Sequence, residues 1–276
     1  MRFASALIHR HRYPDRHFLA WLVPVGLAVS AWPTAGVHTA EPTWRDIRRS
    51  GPFVFHADFS LESHQRLLSS LKTLPDDFRN VLALSTRGRP IHVHLLANRR
   101  RYREHLNRRV PGGSRRRALF LKASDRSYVF AYHHGDWERD LRHECTHALI
   151  HDALPYLPLW LDEGLAEYFE EPVSREGTVH RHINRLRWSL RFGWSPSIQR
   201  LESRKTFASM RAADYREAWA WVHFLLHGPP TARRALTDYL AAIRHQAPPG
   251  HFSQWLEKRL PDAPSRLKTH LRRLER

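Results

Sequence analysis

The sequence predicts an α+β fold, with a small mixed sheet and its helices first and an all-helical part last. Two observations predict it. Segments with strand-like composition are confined to the stretch before residue 133, and from Trp137 onward almost every apolar pattern has helical spacing. Between the two halves lies a helical segment holding His143-Glu-Cys-Thr-His147.

Taken in order, Phe53-Val-Phe-His-Ala-Asp-Phe59 follows Gly51-Pro52 and reads as a strand. Apolar residues then recur at helical spacing from Leu61 to Leu84, and Pro75 is expected to divide that stretch into two helices. Ile91–Leu96 is a second strand, followed by a basic helix over 99–109 that ends at Pro111-Gly112-Gly113. Ala118–Lys122 and Ser127–Tyr132 complete the strands. Helices are expected over 137–153, 158–170, 178–192, 212–227, 231–245 and 251–275, the last broken at Pro261. This divides the chain into an N-terminal segment (1–40), an α/β part (41–155) and a helical part (156–276), the last two forming one unit.

Composition narrows the possibilities. The 276 residues include 42% hydrophobic and 11% aromatic side chains, too apolar for a mainly disordered chain. A single cysteine excludes an internal disulfide framework and any Cys-only metal cluster. With 45 Lys+Arg against 27 Asp+Glu, the formal charge of +18 points first to an anionic partner. No C-x-x-C pair and no aromatic-basic RNA-binding strand accompanies it, so no nucleic-acid partner is expected. The charge reads instead as a surface property suited to an anionic envelope or an acidic substrate. Residues 1–17 carry four Arg, and Phe18–Trp32 is free of charge. Such a pair of regions predicts export to the periplasm or cell envelope, the segment being either cleaved or kept as an anchor.

The chemistry lies in His143, Glu144 and His147. Histidines at i and i+4 project from one helix face and can share a metal ion, and Glu144 sits where it can take a proton from a water there. In a chain with 21 His the motif can arise by chance, so its context decides. Cys145 points away from the two histidines and reads as a packed side chain. His151 lies a further turn along, too far to share the ion. The extended pattern with a third histidine is absent, because Ile150 and Ala153 stand where its glycine and histidine would be. A third ligand is still required, and Glu163 is the best candidate. Pro155 and Pro158 end one helix and start another, Leu159–Phe169, which can fold back and bring Glu163 to the ion. Gly164 fits if two helices approach closely there. Glu167, one turn after Glu163, could accept the free ring N–H of a ligand histidine.

His143-Glu-x-x-His147 followed by Trp160-Leu-Asp-Glu163-Gly-Leu-Ala-Glu167-Tyr168 resembles the gluzincin metallopeptidases. The second stretch is similar to the W-L-x-E-G-x-A-E-Y segment of aminopeptidase N-like enzymes. The spacing from His147 to Glu163 is a few residues shorter than in those enzymes, and more like the compact peptidase MA-like superfamily. Within it the chain most resembles a largely uncharacterised bacterial family of HExxH proteins, from about Phe53 to the C-terminus. The resemblance implies a zincin-like fold and one zinc ion held by His143, His147 and Glu163. It also implies Glu144 as general base, Glu167 as the carboxylate behind a ligand, and Tyr215 as oxyanion donor, with His223 a weaker candidate. The expected function is zinc-dependent hydrolysis of a peptide or protein substrate; a catalytically inactive zincin-like or basic surface-binding protein is the alternative. No G-A-M-E-N-like motif is present, so aminopeptidase specificity does not carry over. The strand before the motif helix, Ser127–Tyr132, is expected to pair with substrate backbone at its edge.

Overall fold

The computed structural model describes residues 7–8, 43–107, 109–110, 112–123, 126–172, 182–247 and 249–274. Apart from Leu7 and Ile8, the expected export segment lies outside the described residues. Among the described residues, no helix is long and apolar enough to cross a membrane. The α+β architecture is the one the sequence predicts. Strands β1 (Leu7–Ile8), β2 (Asp46–Ser50), β3 (Phe53–Ala57), β4 (Ile91–Leu96), β5 (Ala118–Lys122) and β6 (Ser127–Tyr132) form one sheet, and the helices gather after it.

The sheet order is β1-β5-β6-β4-β3-β2. Its centre, β3-β4-β6, is parallel, and β2 and β5 pair antiparallel on either side. Two crossovers build the parallel centre. Helix α1 (Gln65–Leu82) links β3 to β4, and α2 (Arg99–Asn107) lies on the path from β4 to β6. Alternation of side chains gives the sheet two unlike faces. Phe53, Phe55, Val93, Leu95, Phe120 and Val129 are buried in the main core with α1 and the later helices. On the other face His94 and Phe130 meet His105 of α2 over a small second core, with His56 and His92 alongside on the sheet.

Two expectations need correction here. Pro75 does not divide the helix before β4; it lies within one continuous α1. The buried stripe Leu67, Leu71, Leu74, Phe78 and Leu82 runs through it, and packing along that stripe outweighs the one backbone bond that proline removes. Strand β6 cannot take substrate at an edge, because β4 and β5 occupy both of its sides. The outward strand is β5, whose pairing with β1 reaches only Leu121 and Lys122.

The helical part begins with α3 (Trp137–Ala153) and α4 (Leu159–Phe169). These are followed by α5 (Ile183–Arg191), α6 (Ile198–Glu202), α7 (Ala212–His227), α8 (Pro230–Arg244), α9 (Phe252–Glu257) and α10 (Ala263–Arg273). One apolar cluster joins the sheet to these helices, from Phe53 to Leu271. Polar anchors fix α3 within it. Buried Arg142 donates to Phe169 O at 2.7 Å, Ser70 O at 2.6 Å and Asp77 Oδ2 at 3.1 Å, tying α3 to α4 and α1. At the other end Asp152 accepts from the backbone N–H groups of Arg87 and Gly88 and from Arg89 Nε.

Candidate metal centre

Helix α3 is buried along nearly its whole length, and that position aims its histidines inward. His143 Nε2 and His147 Nε2 lie 3.1 Å apart, on one face because four residues make roughly one turn. Helix α4 brings up Glu163, with one oxygen 3.5 Å from His143 Nε2 and the other 3.8 Å from His147 Nε2. Ligands at about 2.0–2.1 Å from a tetrahedral ion would stand about 3.3 Å apart, so the three distances suit one ion.

The donor set argues for an ion as well. Both Glu163 oxygens are buried without a hydrogen-bond partner, an expensive arrangement for a carboxylate unless a cation completes it. Both histidines turn Nε2 towards Glu163, and a carboxylate stands on the side of each remaining nitrogen. Asp162 Oδ1 lies 3.0 Å from His147 Nδ1, and Glu170 Oε2 lies 3.5 Å from His143 Nδ1. Such partners set the tautomer and raise the basicity of a ligand. Burial works against charge on His143, but Glu163 and Glu170 outweigh it and raise its pKa well above the ordinary value. Burial pushes Glu163 up to about 7 while His143 draws it down. These residues could hold a metal ion.

Glu144 is also fully buried, and its Oε2 accepts the backbone N–H of Phe120 in β5 at 2.7 Å. Burial pushes its pKa up to about 8, with His143 and Arg116 pulling the other way. Tyr215 opens the buried face of α7, and α4 and α7 pack closely. Burial and then the charges of Glu163 and Glu167 push its phenol well above the ordinary range.

Gly164 allows that approach, and the partner is α7. A Cβ at Gly164 would come within 2.7 Å of Ala218 O and 2.9 Å of Val222 Cγ2. Glu167 accepts from His182 Nε2 at 2.9 Å, and its carboxylate also falls in a group with His143 and Glu170. His223 is bonded to His270 at 2.9 Å. His151 is buried and bonds the second oxygen of Asp162 at 2.9 Å, so one carboxylate joins His147 to His151. Cys145 packs in the core, fully buried.

Sequence reasoning passed over Asp162, Glu170, His182 and Arg116. Glu170 was within reach of it, since Glu163, Glu167 and Glu170 follow an i, i+4, i+7 stripe. Asp162 offered no signal beyond preceding Glu163. His182 and Arg116 come from distant segments that only the fold brings near.

Residues 140–249 match a family of proteins of unknown function, DUF1570. The match spans α3 from Asp140 through α8, and so includes His143, Glu144, His147, Glu163, Glu167 and Tyr215. No curated protein matches the chain.

Proposed function

We propose that this chain is a zinc-dependent peptidase of gluzincin type. The observation that carries the reading is the convergence of His143 Nε2, His147 Nε2 and a buried Glu163 carboxylate that accepts no hydrogen bond, beside buried Glu144. His143, His147 and Glu163 would hold the ion, two nitrogens and one oxygen being a common catalytic set. Bound there, zinc supplies Lewis acidity to a scissile carbonyl and to the attacking water.

The chain's own residues supply the rest. Glu144 takes the proton from the attacking water and passes it to the leaving amine; its raised pKa suits both tasks. Tyr215 donates its O–H to the oxygen that gains charge, and its high pKa keeps that proton in place. Asp162 and Glu170 hold the two imidazoles in the orientation that presents Nε2. The substrate is a peptide or protein. The basic, then uncharged, N-terminal stretch supports export to the cell envelope, where an anionic surface is at hand.

Metal analysis of the purified full chain, together with a peptide-library cleavage screen, tests the reading. One zinc per chain is expected in the wild type and none in His143→Ala. Glu144→Ala is expected to keep the zinc and lose cleavage. Stoichiometric zinc in His143→Ala, or wild-type hydrolysis by Glu144→Ala, would refute the assignment.

A further inference from the structure

Helix α5 is apolar on two sides. Its inner side buries Ile183 and Leu186. Its outer side exposes Trp188 and, just past its end, Phe192, 63% and 70% accessible with ring centroids 4.3 Å apart. An exposed Trp and Phe in contact with each other at a tilt, with nothing packed over them among the described residues, is a costly surface unless it has an occupant. Positions 185, 188, 191 and 192 share one helix face, so Arg185 and Arg191, both exposed, flank the rings. The helix holds no Asp or Glu. Its neighbour α10 adds exposed Arg272 and Arg273.

We propose that this face of α5 docks the protein onto an anionic lipid surface, with Trp188 and Phe192 entering the headgroup region and the surrounding arginines meeting lipid phosphates. The chemistry fits that occupant. Aromatic rings on a short helix with a basic polar face suit the bilayer interface, where an indole can keep its N–H wet while burying its ring. Each cation held near an anionic surface strengthens binding roughly fivefold. A protein-binding patch would be expected to carry charges of both signs around its rings, and among the described residues of α5 the charges are all positive. The surface also has a bearing on the metal centre. His182, the residue before α5, bonds Glu167, and six residues, about 9 Å of helix axis, separate it from Trp188. Docking would therefore hold the candidate site close to the bilayer.

A local probe tests this in the full chain, independently of any anchoring by residues 1–40. Cys145 is the single cysteine and is fully buried, so a new cysteine at exposed Asn184, one turn before Trp188, can be labelled with an environment-sensitive NBD dye. Vesicles of phosphatidylcholine with about one-third phosphatidylglycerol should shift the emission to the blue and raise it about threefold, and pure phosphatidylcholine should not. Trp188→Ala with Phe192→Ala should abolish the response, and unchanged circular dichroism would show that the exposed substitutions leave the fold intact. Arg185→Gln with Arg191→Gln should weaken vesicle affinity roughly 25-fold. The proposal fails if the probe is silent with anionic vesicles, responds equally to neutral ones, or responds in the double alanine variant. It fails equally if the response grows with protein concentration without vesicles, the mark of a second copy, or follows duplex DNA instead of lipid.

Discussion

Two histidine clusters in this molecule are built from the same side chain and do opposite things. In the candidate metal centre each imidazole has a carboxylate behind it, Asp162 for His147 and Glu170 for His143. On the outer sheet face the imidazoles bond each other: His56 Nε2 to His92 Nδ1 at 3.2 Å, and His94 Nδ1 to His105 Nε2 at 2.9 Å. Trp44 packs at a tilt or edge-on against three of these four rings, and Arg109 adds a cation beside His105. The charge states diverge accordingly. His143 is raised, whereas burial pushes His94 down to about 2, and the charges that act on it, from His105, His56, Arg109 and His92, are all basic. Carboxylate partners suit a buried histidine to hold a proton or an ion; imidazole partners leave it as neutral packing.

The largest expected effect separates chemistry from structure. Glu144→Ala should reduce peptide hydrolysis by about 10³-fold or more, with zinc content unchanged, because only the proton transfer is removed. Loss of zinc in that variant would mean that Glu144 belongs to the ligand set and the division of roles is wrong.

Next come the carboxylates that define the comparison. Asp162→Asn and Glu170→Gln should each weaken zinc affinity about 10- to 100-fold in competition with a chelator. His92→Gln and His105→Gln on the sheet face should leave the zinc stoichiometry unchanged. If the sheet-face variants lost the ion and the carboxylate variants kept it, the comparison would be inverted.

Gly164→Ala tests the contact that holds the site to the helical part. The new methyl would meet backbone at Ala218, which cannot swing aside, so a loss of about 1–3 kcal/mol is expected in urea unfolding. An unchanged midpoint would show that α4 and α7 have room to spare.

The smallest effect is on stability against pH, measured on metal-free protein. The folded state holds His94 below its ordinary pKa of 6.5, so in that window the unfolded chain binds more protons. The contribution of His94 is therefore full above pH 6.5 and is lost as the pH drops towards 2, with His270, pushed down by burial to about 4, acting in the same direction, while the raised carboxyls of Glu144 and Glu163 act in the opposite one. From pH 7 to about 5.5, His94 alone should cost about 1 kcal/mol. His94→Phe should flatten that slope, and an equally steep slope in the variant would place the sensitivity elsewhere.

How much of this was legible beforehand differs by element. Strands β3 to β6 were readable because Phe, Val, Ile and Tyr crowd short segments between Gly and Pro signals. Strand β2, Asp-Ile-Arg-Arg-Ser, was not: its one large apolar side chain, Ile47, is 60% exposed, and only its pairing with β3 makes it a strand. Helix α6 is a single short stretch of five residues, too brief for a periodic pattern. In the candidate site, the two histidines and Glu144 follow from helical periodicity alone, and Glu163 follows from the second helix and its prolines.

The sequence by itself determined the α+β layout, the candidate ligand types and the helix face that carries the two histidines, because these depend on spacing within one element. The tertiary structure alone decided which carboxylate stands behind which imidazole, and that α4 closes on α7 through Gly164. It also decided that β5 is the strand turned outward beside Glu144. Those choices depend on contacts between segments far apart in the chain, where many pairings are chemically equivalent and only packing selects one.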